Sequence, residues 1–389
     1  MSFRFPLATS SWDDLELKAL QRVIDSKQLT MGKEVFELEK QFASYFNSRF
    51  AIMLNSGSSA NLIMTASLFY SKNPKYMLKR GDEIIVPAVS WSTTYFPLSQ
   101  YGLHLKFVDI DLYTLNYDLN ALNDAISDKT RAIMAVNLLG NPNNFIEIEK
   151  MIKGKNILLV EDNCESMGAS LNGKKTGTFG LMGTFSCFFS HHISTIEGGF
   201  VITNNEELYH IMLALRAHGW TRDLPKFNSL TEKKSNNLFE ESFNFVLPGY
   251  NLRPLEISGA IGKEQLLKLP KLIKGRRING DLFKKKLRDH PLFIIQQEIG
   301  SSSWFGFSLI LKSNINYSRA EIVSKLESIG FECRPIVGGN FAKNKVMKYL
   351  DHSIHGELSN AEYIDKNGLF IGNHHYEISD AIDLLATFK

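Results

Sequence analysis

Short apolar runs alternate with helical patterns through the first two-thirds of this chain, and that alternation constrains the fold more than any other feature. Strand-like runs fall at residues 49–54, 83–86, 103–108, 132–136, 156–160, 182–189 and 200–203, with helical patterns at 59–70, 119–126 and 207–217. Strands joined through helices predict an α/β fold with a mostly parallel sheet, because parallel neighbours need a long crossover. Near Pro254 the character changes. Residues 256–267 and 272–287 read as helices, followed by a strand at 304–311, a helix at 319–329 and a strand at 332–336. A chain of 389 residues is long enough for two domains. The expected division is a large unit over 1–258 and a smaller C-terminal α+β unit over 259–389.

Bulk properties exclude several classes of function. A net charge of +3 is too small to argue for nucleic acid or a membrane surface as partner. The N-terminus lacks a basic stretch followed by an apolar core, and no apolar run approaches ~20 residues, so neither a signal peptide nor a membrane span is expected. Three dispersed cysteines, Cys164, Cys187 and Cys333, suit a reducing cytoplasm. They form no paired metal-binding motif, so no metal site is expected.

Five short segments carry chemistry. Asn55-Ser56-Gly57-Ser58-Ser59 joins a strand to a helix, where free N–H groups and the positive end of the helix dipole suit a phosphate. Trp91 follows the second strand and could stack on a flat heterocycle. Asp162 ends another strand, at the edge where open parallel sheets bind ligands. Ser186 opens a segment that runs through His191 and His192 to Glu197-Gly198-Gly199. Pro248-Gly249-Tyr250-Asn251-Leu252-Arg253 precedes a helix start. Taken singly, each has a blander reading: a Ser-capped helix, a core tryptophan, a capping or metal-binding aspartate, a hairpin with two surface histidines, a turn.

Together, in this order and spacing, they resemble the fold-type-I sugar aminotransferase/dehydratase family over nearly the whole chain. The likeness extends to Leu138-Leu139-Gly140-Asn141-Pro142 and Ser303-Trp304-Phe305-Gly306-Phe307. In that family a lysine eight residues before the second glycine binds pyridoxal 5′-phosphate (PLP) covalently, and here that position is His191. An imidazole forms no imine with an aldehyde but can still move a proton. The replacement resembles the 3-dehydratase branch, which makes 3,6-dideoxysugars.

The resemblance implies a large cofactor domain and a small C-terminal domain. It implies PLP and its amino form PMP as cofactors, with glutamate as amino donor. The expected substrate is a nucleotide-linked 4-keto-6-deoxysugar, the nucleotide GDP, which loses its C3 hydroxyl in a step of surface-polysaccharide biosynthesis. Gly57, Ser58 and Ser186 would hold the phosphate, Trp91 would stack on the ring, Asp162 would pair with the ring nitrogen and Glu165 would lie near it. Asn251 would reach the phosphate from a partner subunit, which implies a homodimer with shared active sites. Arg222 and Arg253 are candidates for the glutamate carboxylate or the substrate phosphates.

His191 is the expected base. Adjacent residues on an extended segment face opposite ways, so His192 is expected to be packed or turned to solvent. Two other readings compete. A 4-keto-sugar aminotransferase would need a lysine elsewhere, and Lys174 and Lys175 are the nearest upstream. A non-catalytic relative would bind a ligand through a degenerate site. An iron–sulfur dehydrase is not expected, since a [2Fe–2S] centre normally needs four thiolates and the chain has three cysteines.

Overall fold

The computed structural model describes residues 3–389. Eight strands form one sheet: β1 (Phe50–Leu54), β2 (Glu83–Pro87), β3 (His104–Val108), β4 (Thr130–Val136), β5 (Leu158–Asp162), β6 (Met182–Ser186), β7 (Gly199–Thr203) and, from the C-terminal part, β11 (His352–Ile354). Their order is β1-β7-β6-β5-β4-β2-β3-β11. Only β7 breaks the parallel arrangement, running antiparallel to both neighbours.

Side chains alternate across this sheet into separate cores. Ile52 and Leu54 enter one core, together with Ile84, Val86, Ala132 and Met134. Ala51, Met53, Phe200 and Ile202 enter a second, and Ile85, Ile133 and Ala135 a third. A strand with both faces covered reads as a continuous apolar run, which is why these segments stand out in the sequence.

The helices on this sheet are α1 (Asp14–Ser26), α2 (Lys33–Phe46), α3 (Gly57–Phe69), α4 (Ser92–Gln100), α5 (Leu119–Ala125), α6 (Phe145–Ile152) and α7 (Glu206–Arg216). The sequence reading missed α1, α2, α4 and α6. α4 has a weak apolar pattern and an internal Pro97. It forms because Thr94, Tyr95 and Leu98 are buried.

The two helices expected at 256–267 and 272–287 are one, α8 (Glu256–Leu287), which runs through Pro270. Proline removes one intrahelical hydrogen bond. Leu266, Leu269, Leu272 and Ile273 nevertheless share one core on both sides of it, and that packing carries the helix through. The expected boundary at 258 falls in the first turn of this helix.

After α8 the chain forms a four-stranded antiparallel sheet. Its strands are β8 (Phe293–Ile295), β9 (Gly306–Leu311), β10 (Cys333–Arg334) and β12 (Gly368–Gly372), in the order β8-β9-β12-β10. Helices α9 (Arg319–Ser328), α10 (Ser359–Asn367) and α11 (Ser379–Ala386) accompany it. The strand expected at 332–336 is paired only over Cys333–Arg334. Trp304 and Phe307 pack with Leu326 and Ile382 in a core of this sheet's own. Among the described residues, no helix is long and apolar enough to cross a membrane.

Candidate active site

The parallel strands place their C-terminal ends side by side. Val136 pairs with Asp162, and Asp162 with Thr184, so the carboxylate at the end of β5 faces the region beyond the strand tips. There a cavity of about 580 Å³ opens. Gly57, Ser58, Trp91, Asp162, Glu165, Ser186 and His191 all line it.

The phosphate end is built by a close approach. Ser56 caps α3 by accepting from the Ser59 N–H at 3.1 Å. The remaining N–H groups of this first turn have no partner inside the helix. A Cβ on Gly57 would lie 2.6 Å from the Ser186 Cβ, and one on Gly199 would lie 2.3 Å from the Ser56 carbonyl oxygen. Only glycine lets β6, β7 and the start of α3 meet this closely.

Trp91 stands before α4 with 60% of its surface exposed, so its ring is available as a stacking face. Asp162 is buried. Its Oδ2 accepts from Asn61 Nδ2 at 2.9 Å and Thr94 Oγ1 at 2.8 Å, and its Oδ1 accepts from the Cys164 N–H at 3.1 Å. Glu165 accepts from the Leu139 N–H at 3.0 Å. Burial pushes the Glu165 carboxyl up to about 7, and the Asp162 charge adds to the rise against that hydrogen bond.

The strand expected over 182–189 stops at Ser186. Residues 187–198 leave the sheet as a loop, closed at its base by Cys187 N–H to Gly198 O at 2.8 Å, and β7 resumes at Gly199 opposite Ser186. This loop carries both histidines. His191 is half-buried at the cavity wall, its ring centroid 5.1 Å from that of Phe305. Burial pulls its pKa down to about 4 and the Arg276 charge adds to the fall, while the Phe188 carbonyl opposes it. Burial and the Arg276 charge both favour the neutral, proton-accepting imidazole at ordinary pH. His192 does not line the cavity. It is buried, its Nε2 3.2 Å from the Ser303 carbonyl oxygen.

Asn251, Arg222 and Arg253 are not brought to this cavity. Asn251 is exposed and accepts from Arg253 Nε at 3.1 Å. The Arg222 and Arg253 guanidinium groups lie over Trp220, 4.2 and 6.0 Å from the ring centroid. Sequence reasoning gave no role to Asn61, Thr94, Glu197 and Arg334, which all line the cavity. Asn61 and Glu197 had a local signal, since each stands beside a segment that carries chemistry. Arg334 had none, since only the folded C-terminal part brings it there.

No lysine lines the cavity among the described residues. Lys175 donates to the Tyr45 carbonyl oxygen and Lys174 lies over the Phe179 ring, so both are engaged elsewhere. No group of three or more histidine, cysteine or acidic side chains could hold a metal ion among the described residues. The donor set fits PLP. It offers helix N–H groups with Ser58 and Ser186 for a phosphate, an exposed indole for a ring and a buried carboxylate for a pyridinium.

A family model described as the DegT/DnrJ/EryC1/StrS aminotransferase family matches residues 11–383. The GDP-4-keto-6-deoxy-D-mannose 3-dehydratase of Yersinia pseudotuberculosis is 63% identical over 379 residues, which cover 97% of this chain and 96% of that protein. The solved structure of E coli GDP-4-keto-6-deoxy-D-mannose-3-dehydratase with bound hydrated PLP is 61% identical, covers 99% of each chain and superposes with a TM-score of 0.98. A structure of GDP-4-keto-6-deoxymannose-3-dehydratase with a trapped PLP-glutamate geminal diamine is likewise 61% identical, covers 98% of this chain and 99% of that one, and has a TM-score of 0.97.

Proposed function

This chain belongs to the DegT/DnrJ/EryC1/StrS aminotransferase family, and from that premise we propose that it is a PLP/PMP-dependent 3-dehydratase of GDP-4-keto-6-deoxy-D-mannose. It takes its amino group from glutamate and acts in surface-polysaccharide biosynthesis. The observation that carries this reading is the cavity wall: it presents His191 and no lysine. Without a lysine amine, the cofactor is held by non-covalent contacts alone. The 4-keto aminotransferase reading loses its tether for the same reason. The ordered Asp162 site argues against a degenerate binding protein.

The roles follow from placement. Gly57, Ser58 and Ser186 hold the phosphate, and Trp91 covers one face of the ring. Asp162 accepts from the protonated ring nitrogen, and Glu165 lies near the ring. Bound here, the cofactor supplies an electron sink. His191, neutral and unable to form an imine, takes a proton at the cofactor's C4′ carbon. With the cofactor's amino form bound, the C3 hydroxyl would leave as water and hydrolysis would release the amino nitrogen as ammonia, giving a 4-keto-3,6-dideoxysugar.

Further parts of the reading concern the assembly. We propose a homodimer in which Asn251 reaches the partner's phosphate site and the Trp220 platform presents Arg222 and Arg253 to substrate phosphate or glutamate carboxylate. Large exposed apolar side chains beside that platform support it: Leu238, Phe239 and Phe243 are 82%, 88% and 65% exposed. Such a patch is costly to leave in water. We also propose the division into a large cofactor-binding domain over 1–258 and a small domain over 259–389, supported by the four-stranded sheet that the chain after α8 forms, with β11 alone returning to the large sheet. The proposed location is the cytoplasm, supported by three unpaired cysteines and the lack of a membrane-crossing helix among the described residues.

The test is incubation of the PLP-loaded protein with glutamate and GDP-4-keto-6-deoxy-D-mannose. Ammonia and a 3-deoxy product are expected, and borohydride reduction beforehand should attach PLP to no active-site lysine. A 4-amino sugar as product, or a lysine–PLP peptide, would overturn the assignment.

A further inference from the structure

Asp162 is surrounded by donors, and the donors are themselves fixed. Asn61 Nδ2 donates to Asp162 Oδ2 at 2.9 Å, while Asn61 Oδ1 accepts from Thr184 Oγ1 at 2.7 Å. Thr94 Oγ1 donates to the same Oδ2 at 2.8 Å, and its oxygen lies 2.8 Å from Ser90 Oγ. A hydroxyl has one proton. Since Thr94 gives its proton to the carboxylate, Ser90 must donate to Thr94. Flipping the Asn61 amide would set its oxygen against the carboxylate, so its oxygen is held towards Thr184, whose hydroxyl also lies 3.3 Å from the Glu161 carbonyl oxygen. Asn61, Thr94, Ser90 and Thr184 are all buried, and Thr184 lies outside the cavity lining.

We propose that this buried relay, Thr184 to Asn61 to Asp162 with Ser90 and Thr94 as a second arm, holds the Asp162 carboxylate in one orientation. Asn61 and Thr184 are thereby positioning residues for the ring-nitrogen contact. The inference rests on the reading of Asp162 as the ring-nitrogen partner. A carboxylate with its orientation set before the ligand arrives spends no reorganisation when it meets a pyridinium. Loss of either donor makes the carboxylate more basic, which draws the shared proton off the ring nitrogen and weakens the electron sink.

The experiment uses holoenzyme loaded with PLP labelled with ¹⁵N in the ring, in wild type, Thr184→Val, Thr184→Ser and Asp162→Asn. Thr184→Val keeps the volume and removes the hydroxyl. It should move the ring-nitrogen signal towards its unprotonated value and slow the glutamate half-reaction by about tenfold, the size expected for weakening one hydrogen bond to a charged group. KM for glutamate should hold, and Thr184→Ser should restore both signal and rate. An unmoved signal in Thr184→Val, or equal impairment in Val and Ser variants, would overturn the relay. If Asp162→Asn abolishes the protonated signal while Thr184→Val does not, the relay alone fails. If Asp162→Asn leaves the signal unchanged, the ring-nitrogen reading and the relay fall together. Should Thr184→Val not fold, Thr94→Val on the second arm gives the same readings.

Discussion

At the scale of single residues, the two adjacent histidines differ in what surrounds them. His191 lines the cavity, whereas His192 is buried against the Ser303 carbonyl. His191→Asn should leave the cofactor bound, because the phosphate, ring and nitrogen contacts are untouched. An amide has no useful basicity near neutral pH, so dehydration should fall by roughly 10²–10⁴-fold. His192→Asn should cost far less activity and mainly perturb packing. Ammonia release by both variants beside wild type decides it. An active His191→Asn with a dead His192→Asn would move the base to His192.

The titration of His191 gives a second prediction at this scale. Its pKa lies at about 4. A histidine is neutral above its pKa and cationic below it, so the proton-accepting form should persist from pH 8 down to about 5 in the unloaded protein. The ring C–H signals followed by NMR should stay flat over that range and move only near pH 4. A midpoint at the ordinary value of 6.5 would mean that burial and the Arg276 charge do not act on this ring.

At the scale of elements, the site depends on how closely the start of α3 meets the ends of β6 and β7. Gly57 has 2.6 Å between its absent Cβ and the Ser186 Cβ. Gly57→Ala must push the helix start away from Ser186, which separates two proposed phosphate contacts. Overpacking of this kind typically costs about 1–3 kcal/mol. The expected result is a lower Tm and at least tenfold weaker PLP binding, read by thermal melts and cofactor titration. Unchanged PLP affinity would show that the phosphate sits elsewhere.

At the scale of the whole molecule, the proposed exchange of Asn251 between subunits has a clean consequence. Asp162→Asn and Asn251→Ala homodimers should each be severely impaired. A mixed dimer restores one complete site, so unfolding and refolding the two together should recover about a quarter of wild-type activity under random pairing. Sedimentation should show a dimer throughout. If Asn251 serves its own subunit, mixing recovers nothing.

Much of this protein was legible before any coordinates. Seven of the eight strands of the large sheet were readable because they are apolar runs; the eighth, β11, is short and half-exposed and carries no such run. The segments around Gly57, Asp162 and His191 were readable because each carries its local chemistry in consecutive residues. The ends of elements were less so: Ser186 ends β6 because the histidine loop must leave the sheet, and no local periodicity marks that point. Pro270 hid the continuity of α8, since the packing that carries the helix through it is long-range. The convergence of residues 57, 91, 162, 191 and 334 on one cavity belongs to the tertiary structure alone. Parallel register sets the strand ends level, and the C-terminal sheet then brings Arg334 over them. The sequence by itself therefore determined the centre of the site, Gly57, Ser58, Trp91, Asp162, Glu165, Ser186 and His191, because strand burial and local chemistry are written in neighbouring residues. Only the folded chain decided that Arg334 reaches the cavity and that Thr184 reaches Asp162 through Asn61, because side-chain direction and hydrogen bonding depend on what packs behind.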